Sequence, residues 1–377
     1  MSNLYIKRWE SIEVDKLFST ADLGKIKLKN KVVMAPMTRS RSLGNIPNDL
    51  VATYYEQRAE AGLLITEGTS PSPNGLGYAR IPGIFSKEQV NGWKKVTEKV
   101  HAKGSRIFIQ LMHTGRIGHP ANLPAGAEML APSAIVAKGQ MWTDKEGMKD
   151  HPVPKEMTLN QIQSTIDEYV KASLNAIEAG FDGVELHAAN GYLLEQFLHP
   201  TSNQRTDEYG GTIEKRLKFV LDTTKAVADA IGKDKVGIRL SPYGAFNDLF
   251  PFDDTEKEYS LLAEKLNEIG IVYVHLVDHS SMGAPKVEPS TVQKIRDAFH
   301  GTLILSGGYD KARAEKDLES GKANLIAFGK PFISNPDLVT KLEKGLPLIP
   351  LDPGTLYTAD EKGYTDYPVT QHSNSAA

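Results

Sequence analysis

The sequence contains no cysteine. This absence excludes disulfide bonds, zinc sites with thiolate ligands, iron–sulfur clusters and catalysis by a cysteine nucleophile. The chain also has no apolar run near the roughly 20 residues that a membrane-spanning helix needs. Its first 18 residues carry charges throughout and lack the apolar centre of a signal peptide. We therefore expect a cytoplasmic protein that does not interact with membranes.

The chain has no excess of positive charge. Its 44 Lys and Arg side chains face 47 Asp and Glu side chains, which gives a formal net charge of −3. A nucleic-acid-binding domain usually carries a basic excess on one face, so we expect no nucleic-acid partner. With 377 residues, of which 40% are hydrophobic, the chain could form two average domains or one large barrel.

Short apolar runs of β type alternate with segments of helical periodicity along the chain. The predicted strands are residues 32–36, 63–67, 106–111, 183–186, 236–240, 272–277, 303–306 and 325–328. The predicted helices are residues 49–61, 87–103, 159–179, 213–231, 256–269, 289–298, 311–320 and 335–344. This alternation predicts the α/β class, either as a (βα)8 TIM barrel or as an open doubly wound sheet. Polar residues follow nearly every strand, which favours the barrel because its catalytic side chains lie at the C-terminal strand ends.

One long segment, residues 112–154, does not fit the alternation. It follows the third strand and is rich in Gly, Pro and His. Segments of this length are usually lids or small subdomains, so we expect a capping insertion over the barrel mouth with some β-hairpin content. The C-terminal tail, residues 347–377, contains several tyrosines and is expected to pack on the barrel, with residues 372–377 disordered. We expect residues 1–377 to form a single domain.

Glycines follow the last two predicted strands. Gly307 and Gly308 come after the seventh strand, and Gly329 and Lys330 come after the eighth. These two loops often bind phosphate in barrels, because glycine lets backbone N–H groups approach the oxygens. Lys330 would add a positive charge. The alternative is that the glycines serve only the turns between strand and helix, but their occurrence in both loops favours phosphate binding.

Two polar side chains, Gln110 and Arg239, stand inside apolar strands. Their burial is unfavourable unless they face a ligand or a partner side chain. For Arg239, a ligand contact and a buried ion pair with Glu67 or Glu185 agree equally well with the spacing.

Three polar side chains, His187, Asn190 and Tyr192, follow the fourth strand in the stretch FDGVELHAANGY. A His and an Asn three residues apart can present two donors to one oxygen, and the phenol is an acid with a pKa of about 10. No carboxylate or second histidine stands at zinc-ligand spacing here, so no metal site is expected. The spacing alone does not distinguish a catalytic group from a packed strand end. His113 and His119 are isolated and are expected to have structural roles.

Several longer motifs follow one another in order along the chain. They are APMTR at 35–39, QLMHTGR at 110–116, GVELHAANGYLLEQFL at 183–198, NQRTDEYGG at 203–211, RLSP at 239–242, SGGY at 306–309, GKPFISNPD at 329–337 and GYTDYP at 363–368. Together they resemble the old yellow enzyme family of FMN-dependent ene-reductases, over residues 17–368. The resemblance implies a single FMN-binding (βα)8 barrel. Such an enzyme moves hydride from NADPH or NADH, through tightly but non-covalently bound FMN, to an activated C=C bond.

The resemblance also implies residue roles. Contacts with the flavin ring are expected from Pro36, Thr38, Gly68, Gln110 and Arg239, and contacts with its phosphate from Gly307, Gly308, Gly329 and Lys330. His187 and Asn190 would hold the substrate oxygen, and Tyr192 would supply a proton. Met112 and Tyr357 would line the substrate pocket.

The sequence departs from the family pattern at two of these positions. Lys330 stands where the family usually has arginine, so the phosphate would meet a point charge instead of a fork of donors. Met112 stands where many members have tryptophan, so the pocket would have a different shape.

The expected substrates are α,β-unsaturated carbonyl compounds, nitroalkenes and maleimides, and the expected assembly is a monomer or homodimer. Three alternatives remain open. One is a barrel that mainly reduces nitro compounds or nitrate esters. Another is a hydrolase or lyase that uses Glu67 or Glu185 as a base, and the last is a non-catalytic flavin-binding barrel.

Overall fold

The protein closes eight parallel strands into one barrel. The computed structural model describes residues 15–370, so the expected disorder of residues 372–377 lies outside the described part. The strands, β1 to β8, are Val32–Met34, Leu63–Ile65, Arg106–Leu111, Gly183–Ala188, Val236–Leu240, Tyr273–Val277, Thr302–Ser306 and Leu325–Phe328. Strand β8 pairs with β1 in parallel, which closes the barrel. The (βα)8 prediction is confirmed, and the open doubly wound sheet is wrong.

Ten α-helices accompany the barrel within residues 15–370. In chain order, α1 to α10 are Asp49–Gln57, Lys87–Ala102, Leu159–Glu178, Leu193–Leu198, Ile213–Ile231, Thr255–Ile269, Pro289–Ala298, Lys311–Glu319, Lys330–Ser334 and Leu338–Lys344. The sequence did not predict α4 or α9. All six residues of α4 are buried, so this helix shows no amphipathic period, and α9 has only five residues.

Side-chain caps fix where the longer helices begin. Ser86 and Gln89 form a reciprocal capping box at the start of α2, and Thr158 and Gln161 form another at the start of α3. Each box satisfies two backbone N–H groups that the first helical turn leaves without partners. These helices therefore start close to the residues that the sequence predicts.

The barrel interior is apolar in its lower part and polar towards the C-terminal strand ends. The apolar part includes Val33, Leu63, Phe108, Tyr273, Ile304 and Leu325. Leu23 and Leu28 join it from an N-terminal hairpin formed by Ala21–Leu23 and Ile26–Leu28. The polar part begins one layer higher, and all the functional candidates discussed below lie at or above it.

The segment after β3 forms two small sheets. Leu130–Ala131 pairs with Lys155–Glu156, and Gln140–Thr143 pairs with Gly147–Asp150 as an antiparallel hairpin. Buried Ile117, Ala137 and Met141 from this segment pack with Tyr78 and Tyr192. The expected hairpin is therefore present, whereas the role of the segment as a cap stays a prediction.

Three buried arginines bind the C-terminal tail to the barrel. Arg39 donates to the Gly363 carbonyl at 2.8 Å, Arg41 to the Thr355 carbonyl at 2.7 Å, and Arg58 to the Tyr364 carbonyl at 3.2 Å. These contacts bring Tyr357 towards the barrel mouth, since the preceding and following residues are held in place. The description of residues 1–377 as a single domain stays a prediction.

Candidate active site

The polar layer of the barrel is centred on Glu185. Gln110 Nε2 donates to Glu185 Oε1 at 2.8 Å, while the Tyr273 hydroxyl and His275 Nδ1 lie 3.0 and 2.9 Å from Oε2. Burial opposes ionisation of this carboxyl, but His275 and the Arg239 charge outweigh it, so its pKa lies below the ordinary value. Glu185 is therefore a saturated anion that organises its neighbours and is not open to a substrate.

Glu67 is the second buried carboxyl near the strand ends. Its Oε2 accepts a hydrogen bond from the Arg39 backbone N–H at 3.2 Å, and its Oε1 is buried without a partner within residues 15–370. Burial raises the pKa of this carboxyl to about 7. Both oxygens of Glu185 are engaged by neighbouring side chains and Glu67 is completely buried, which argues against either as the base of a hydrolase or lyase.

Arg239 lies on β5, in register with His187 on β4 and His275 on β6. It is 7% exposed, and its Nε is buried without a partner in the described part of the chain. In that part Arg239 forms no ion pair with Glu67 or Glu185, although the Glu185 charge partly offsets the lowering of its pKa by burial. A buried guanidinium with an unpaired donor favours the ligand role over the structural one.

His187 is the penultimate residue of β4 and lies beside this guanidinium. Its Nδ1 is buried and has no partner within the described residues. Burial and the Arg239 charge hold the pKa of the imidazole well below its ordinary value. His187 is therefore neutral at physiological pH and can act as a hydrogen-bond donor through one ring nitrogen only.

Asn190 occupies the turn after β4 in a left-handed conformation, with φ of 60°. Its backbone N–H donates to Ser241 Oγ at 2.9 Å, and its carbonyl accepts from Asn247 Nδ2 at 2.7 Å. Its Oδ1 lies 2.6 Å from Nε2 of His279, which is in the loop after β6. The sequence analysis did not identify Asn247 or His279, since no local pattern links either of them to residue 190.

Tyr192 directly precedes α4, and its ring centroid lies 5.0 Å from that of His187. Its hydroxyl lies 2.9 Å from the hydroxyl of Tyr78, which the sequence analysis also missed. Burial raises the pKa of Tyr192, against smaller opposing contributions from Tyr78 and Asn247. Tyr192 is therefore fully protonated at neutral pH, and Tyr78 is its nearest hydroxyl partner.

Met112 and Gly68 are in direct contact. A Cβ on Gly68 would lie 2.5 Å from Met112 Sδ, so the absence of a side chain at 68 makes room for the methionine. Met112 also packs with Leu76, and partly buried Tyr192 borders the same cluster. Tyr357 is 59% exposed, but it lies close enough to raise the pKa of Tyr192.

The two glycine-bearing loops lie side by side, because Ser306 on β7 pairs with Ala327 on β8. Gly307 has φ of 116°, and a Cβ there would lie 1.9 Å from the Asp278 carbonyl oxygen, so only glycine fits. At Gly329 the nearest atom to an added Cβ would be Met37 Sδ at 3.7 Å, which is an ordinary packing distance. Lys330 is exposed and forms no ion pair within residues 15–370.

The closed barrel brings all the predicted site residues to its C-terminal end except Tyr357, which the tail supplies. They follow or end β1 (Pro36 and Thr38), β2 (Gly68), β3 (Gln110 and Met112), β4 (His187, Asn190 and Tyr192), β5 (Arg239), β7 (Gly307 and Gly308) and β8 (Gly329 and Lys330). The Arg239 donor, unpaired within residues 15–370, fits a planar ring that carries acceptors. The exposed Lys330 beside the adjacent glycine-bearing loops fits a phosphate. FMN has both groups.

Comparisons with known proteins agree with this arrangement. Residues 16–348 match the model of the NADH:flavin oxidoreductase / NADH oxidase family. The chain is 41% identical over 358 residues to 12-oxophytodienoate reductase 1 of Oryza sativa subsp. japonica, covering 93% of this chain and 92% of that protein. Morphinone reductase in complex with tetrahydroNAD superposes with a TM-score of 0.90 at 40% identity, covering 95% of this chain and 98% of that one. An old yellow enzyme homologue from Zymomonas mobilis superposes with a TM-score of 0.90 at 38% identity, covering 94% of this chain and 100% of that one.

Proposed function

This chain belongs to the NADH:flavin oxidoreductase / NADH oxidase family, the old yellow enzyme family, and we infer from this membership and from the site that it is an ene-reductase. It is an FMN-dependent oxidoreductase whose hydride donor is a reduced nicotinamide and whose substrate is a small molecule with an activated alkene. Bound FMN supplies the hydride transfer between nicotinamide and alkene. The rest of the proposal concerns what the side chains of this protein contribute.

The observation that carries the proposal is the buried Arg239 guanidinium, which lies beside His187 and whose Nε has no partner in the part of the chain that the structure describes. An acceptor on the flavin ring would satisfy this donor, and the positive charge would favour electron density on the ring. We propose that Gln110, Pro36, Thr38 and Gly68 border the same ring. A further set of residues, Gly307, Gly308, Gly329 and Lys330, would contact its phosphate.

His187 and Asn190 would bind the carbonyl or nitro oxygen of the substrate. Negative charge develops on this oxygen as the β-carbon accepts hydride, and two donors fixed in advance stabilise that charge. The lowered pKa of His187 is compatible with this role, because a neutral imidazole still has one N–H donor. The Asn190 amide supplies the second donor.

Tyr192 would then supply a proton to the α-carbon, which completes the saturated product. Its raised pKa keeps the phenol protonated until the substrate carries negative charge. The Tyr78 hydroxyl, 2.9 Å away, is placed to hydrogen-bond the Tyr192 oxygen after the transfer. Met112 and Tyr357 would border the space that the substrate occupies.

The names of the relatives, a 12-oxophytodienoate reductase and a morphinone reductase, support a carbonyl compound as the substrate. Four finer points stay predictions. They are NADPH as the donor, maleimides and nitroalkenes as further substrates, a cytoplasmic location, and a monomeric or homodimeric state. No helix within residues 15–370 is long and apolar enough to cross a membrane.

A spectroscopic experiment tests the proposal. The purified protein should be yellow, should bleach anaerobically when NADPH is added, and should recover its colour when 2-cyclohexenone follows. A colourless protein that gains no spectrum with added FMN would contradict it. A yellow protein that is inert towards enones and maleimides with either nicotinamide would favour the non-catalytic alternative. A yellow protein that reduces only nitro compounds or nitrate esters would favour that substrate class.

A further inference from the structure

We propose that His279 is a positioning residue for the site that binds the substrate oxygen. In this view His279 Nε2–H donates to Asn190 Oδ1 and thereby turns the Asn190 amide N–H groups towards the substrate. The inference rests on the proposed function of Asn190 and adds a residue from the loop after β6, which no sequence motif connects to the site.

The hydrogen bonds of Asn190 carry the argument. Its backbone N–H, its carbonyl and its Oδ1 are engaged by Ser241, Asn247 and His279, respectively. Its Nδ2 is the group that has no partner within residues 15–370. An Asn amide can rotate by half a turn with little change of shape, so the partner of Oδ1 decides which end faces the pocket. The contact with His279 therefore leaves the two N–H donors for the substrate.

The imidazole of His279 is itself held in place. Its ring packs against the ring of Phe246 in the loop after β5, with centroids 4.4 Å apart. The charged and titratable groups that face it are Arg239, Asp278, His275 and Lys330. Burial lowers the pKa of His279 to about 4, with the Arg239 charge acting in the same direction, so the ring is neutral at pH 7. A neutral ring can donate to Oδ1 only as the Nε2–H tautomer, and it then contributes no charge to the pocket.

The role predicts a specific defect. Without His279, the freed Oδ1 could rotate towards the pocket, where its lone pairs would oppose those of the substrate oxygen. The defect would appear in the binding of ligands through their oxygen atom and in alkene reduction, and folding would be largely preserved. A merely structural role for His279 would instead lower thermal stability and leave the binding of a phenol or of the substrate carbonyl unchanged.

The experiment uses the FMN-loaded protein and four variants. His279→Phe keeps an aromatic ring against Phe246 but removes both nitrogens, and His279→Leu removes the ring as well. His279→Gln restores an N–H donor on a side chain of similar reach. His300→Leu is the matched control, because it removes an exposed histidine just before β7, at the end of the barrel opposite to the loops that carry Asn190 and His279. The readouts are calorimetric affinity for a para-substituted phenol, kcat and KM for 2-cyclohexenone, and the thermal midpoint.

Losing one aligned neutral hydrogen bond should weaken phenol binding and lower kcat/KM by about tenfold in His279→Phe and His279→Leu. His279→Gln should recover most of both values, and His300→Leu should match the wild type. Wild-type phenol affinity and kcat/KM in the Phe and Leu variants would overturn the inference, as would failure of the Gln variant to recover more than they do. If the wild type itself neither binds the phenol nor reduces cyclohexenone, the proposed function fails, which is a separate result.

Discussion

Replacement of Glu67 by glutamine should remove a pH-dependent loss of stability that the buried carboxyl imposes. In the native protein the carboxyl is fully buried, and its Oε1 has no partner within the described residues. Glutamine has nearly the same shape and can still accept the Arg39 N–H bond through its amide oxygen. The substitution therefore removes the negative charge while it changes the packing little.

The magnitude follows from the pKa of Glu67, which burial raises from an ordinary value of 4.5 to about 7. Between these two values the unfolded chain has released its proton whereas the folded protein retains it. Rising pH therefore favours the unfolded state across this interval, and the loss is complete above about pH 7. At about 1.4 kcal/mol per pKa unit, this interval corresponds to about 3 kcal/mol.

The assay is urea unfolding at pH 4, 5, 6, 7 and 8 with FMN in excess, followed by circular dichroism. The difference in unfolding free energy between Glu67→Gln and the wild type should increase by about 3 kcal/mol from acid to alkaline pH, because other titrating groups cancel in the comparison. Glu98→Gln, at an exposed position, serves as the control for removal of a surface carboxyl. A pH-independent difference for Glu67→Gln would refute the reasoning.

Three further predictions concern the site. Tyr192→Phe should slow alkene reduction by about 100-fold while flavin reduction by NADPH stays near normal in stopped-flow absorbance; an equal loss in both steps would show that Tyr192 is not a specific proton donor. Gly307→Ala should lower the thermal midpoint and weaken FMN binding, because its Cβ would lie 1.9 Å from the Asp278 carbonyl oxygen. Gly329→Ala should fold normally, because its Cβ would have no neighbour closer than 3.7 Å. Equal thermal midpoints in the two variants would contradict this reasoning. Met112→Trp should reduce kcat/KM for bulky enones more than for 2-cyclohexenone, because Met112 already fills its site against Gly68; an unchanged ratio would show that residue 112 does not shape the pocket.

The barrel could be predicted from the sequence because its strands are buried on both faces and read as continuous apolar runs. β5 and β8, for example, consist entirely of buried residues. The two missed helices show the limit of this approach. The helix α4 is buried on every side, so it has no polar face to reveal its period, and α9 is shorter than two turns.

The site was only partly predictable, because its parts come together through barrel closure. The location of His187 and Asn190 at the C-terminal end of the barrel could be predicted, because both adjoin a predicted strand, whereas their roles stay predictions. Tyr78, Asn247 and His279 lie in loops after β2, β5 and β6, and nothing in their local sequence indicates contact with the loop after β4. Arg239 had two equally good interpretations until the geometry showed that its Nε has no partner among residues 15–370.

Isotope labelling of the product tests the central claim most directly. With NADPH carrying deuterium at both C4 positions, reduction of 2-cyclohexenone should place one deuterium on the β-carbon, and reduction in D2O with unlabelled NADPH should place deuterium on the α-carbon. This pattern is expected if hydride originates from the nicotinamide and the proton from an exchangeable group such as the Tyr192 hydroxyl. Unreacted cyclohexenone, or a product without deuterium from the nicotinamide at the β-carbon, would contradict the assignment as an ene-reductase.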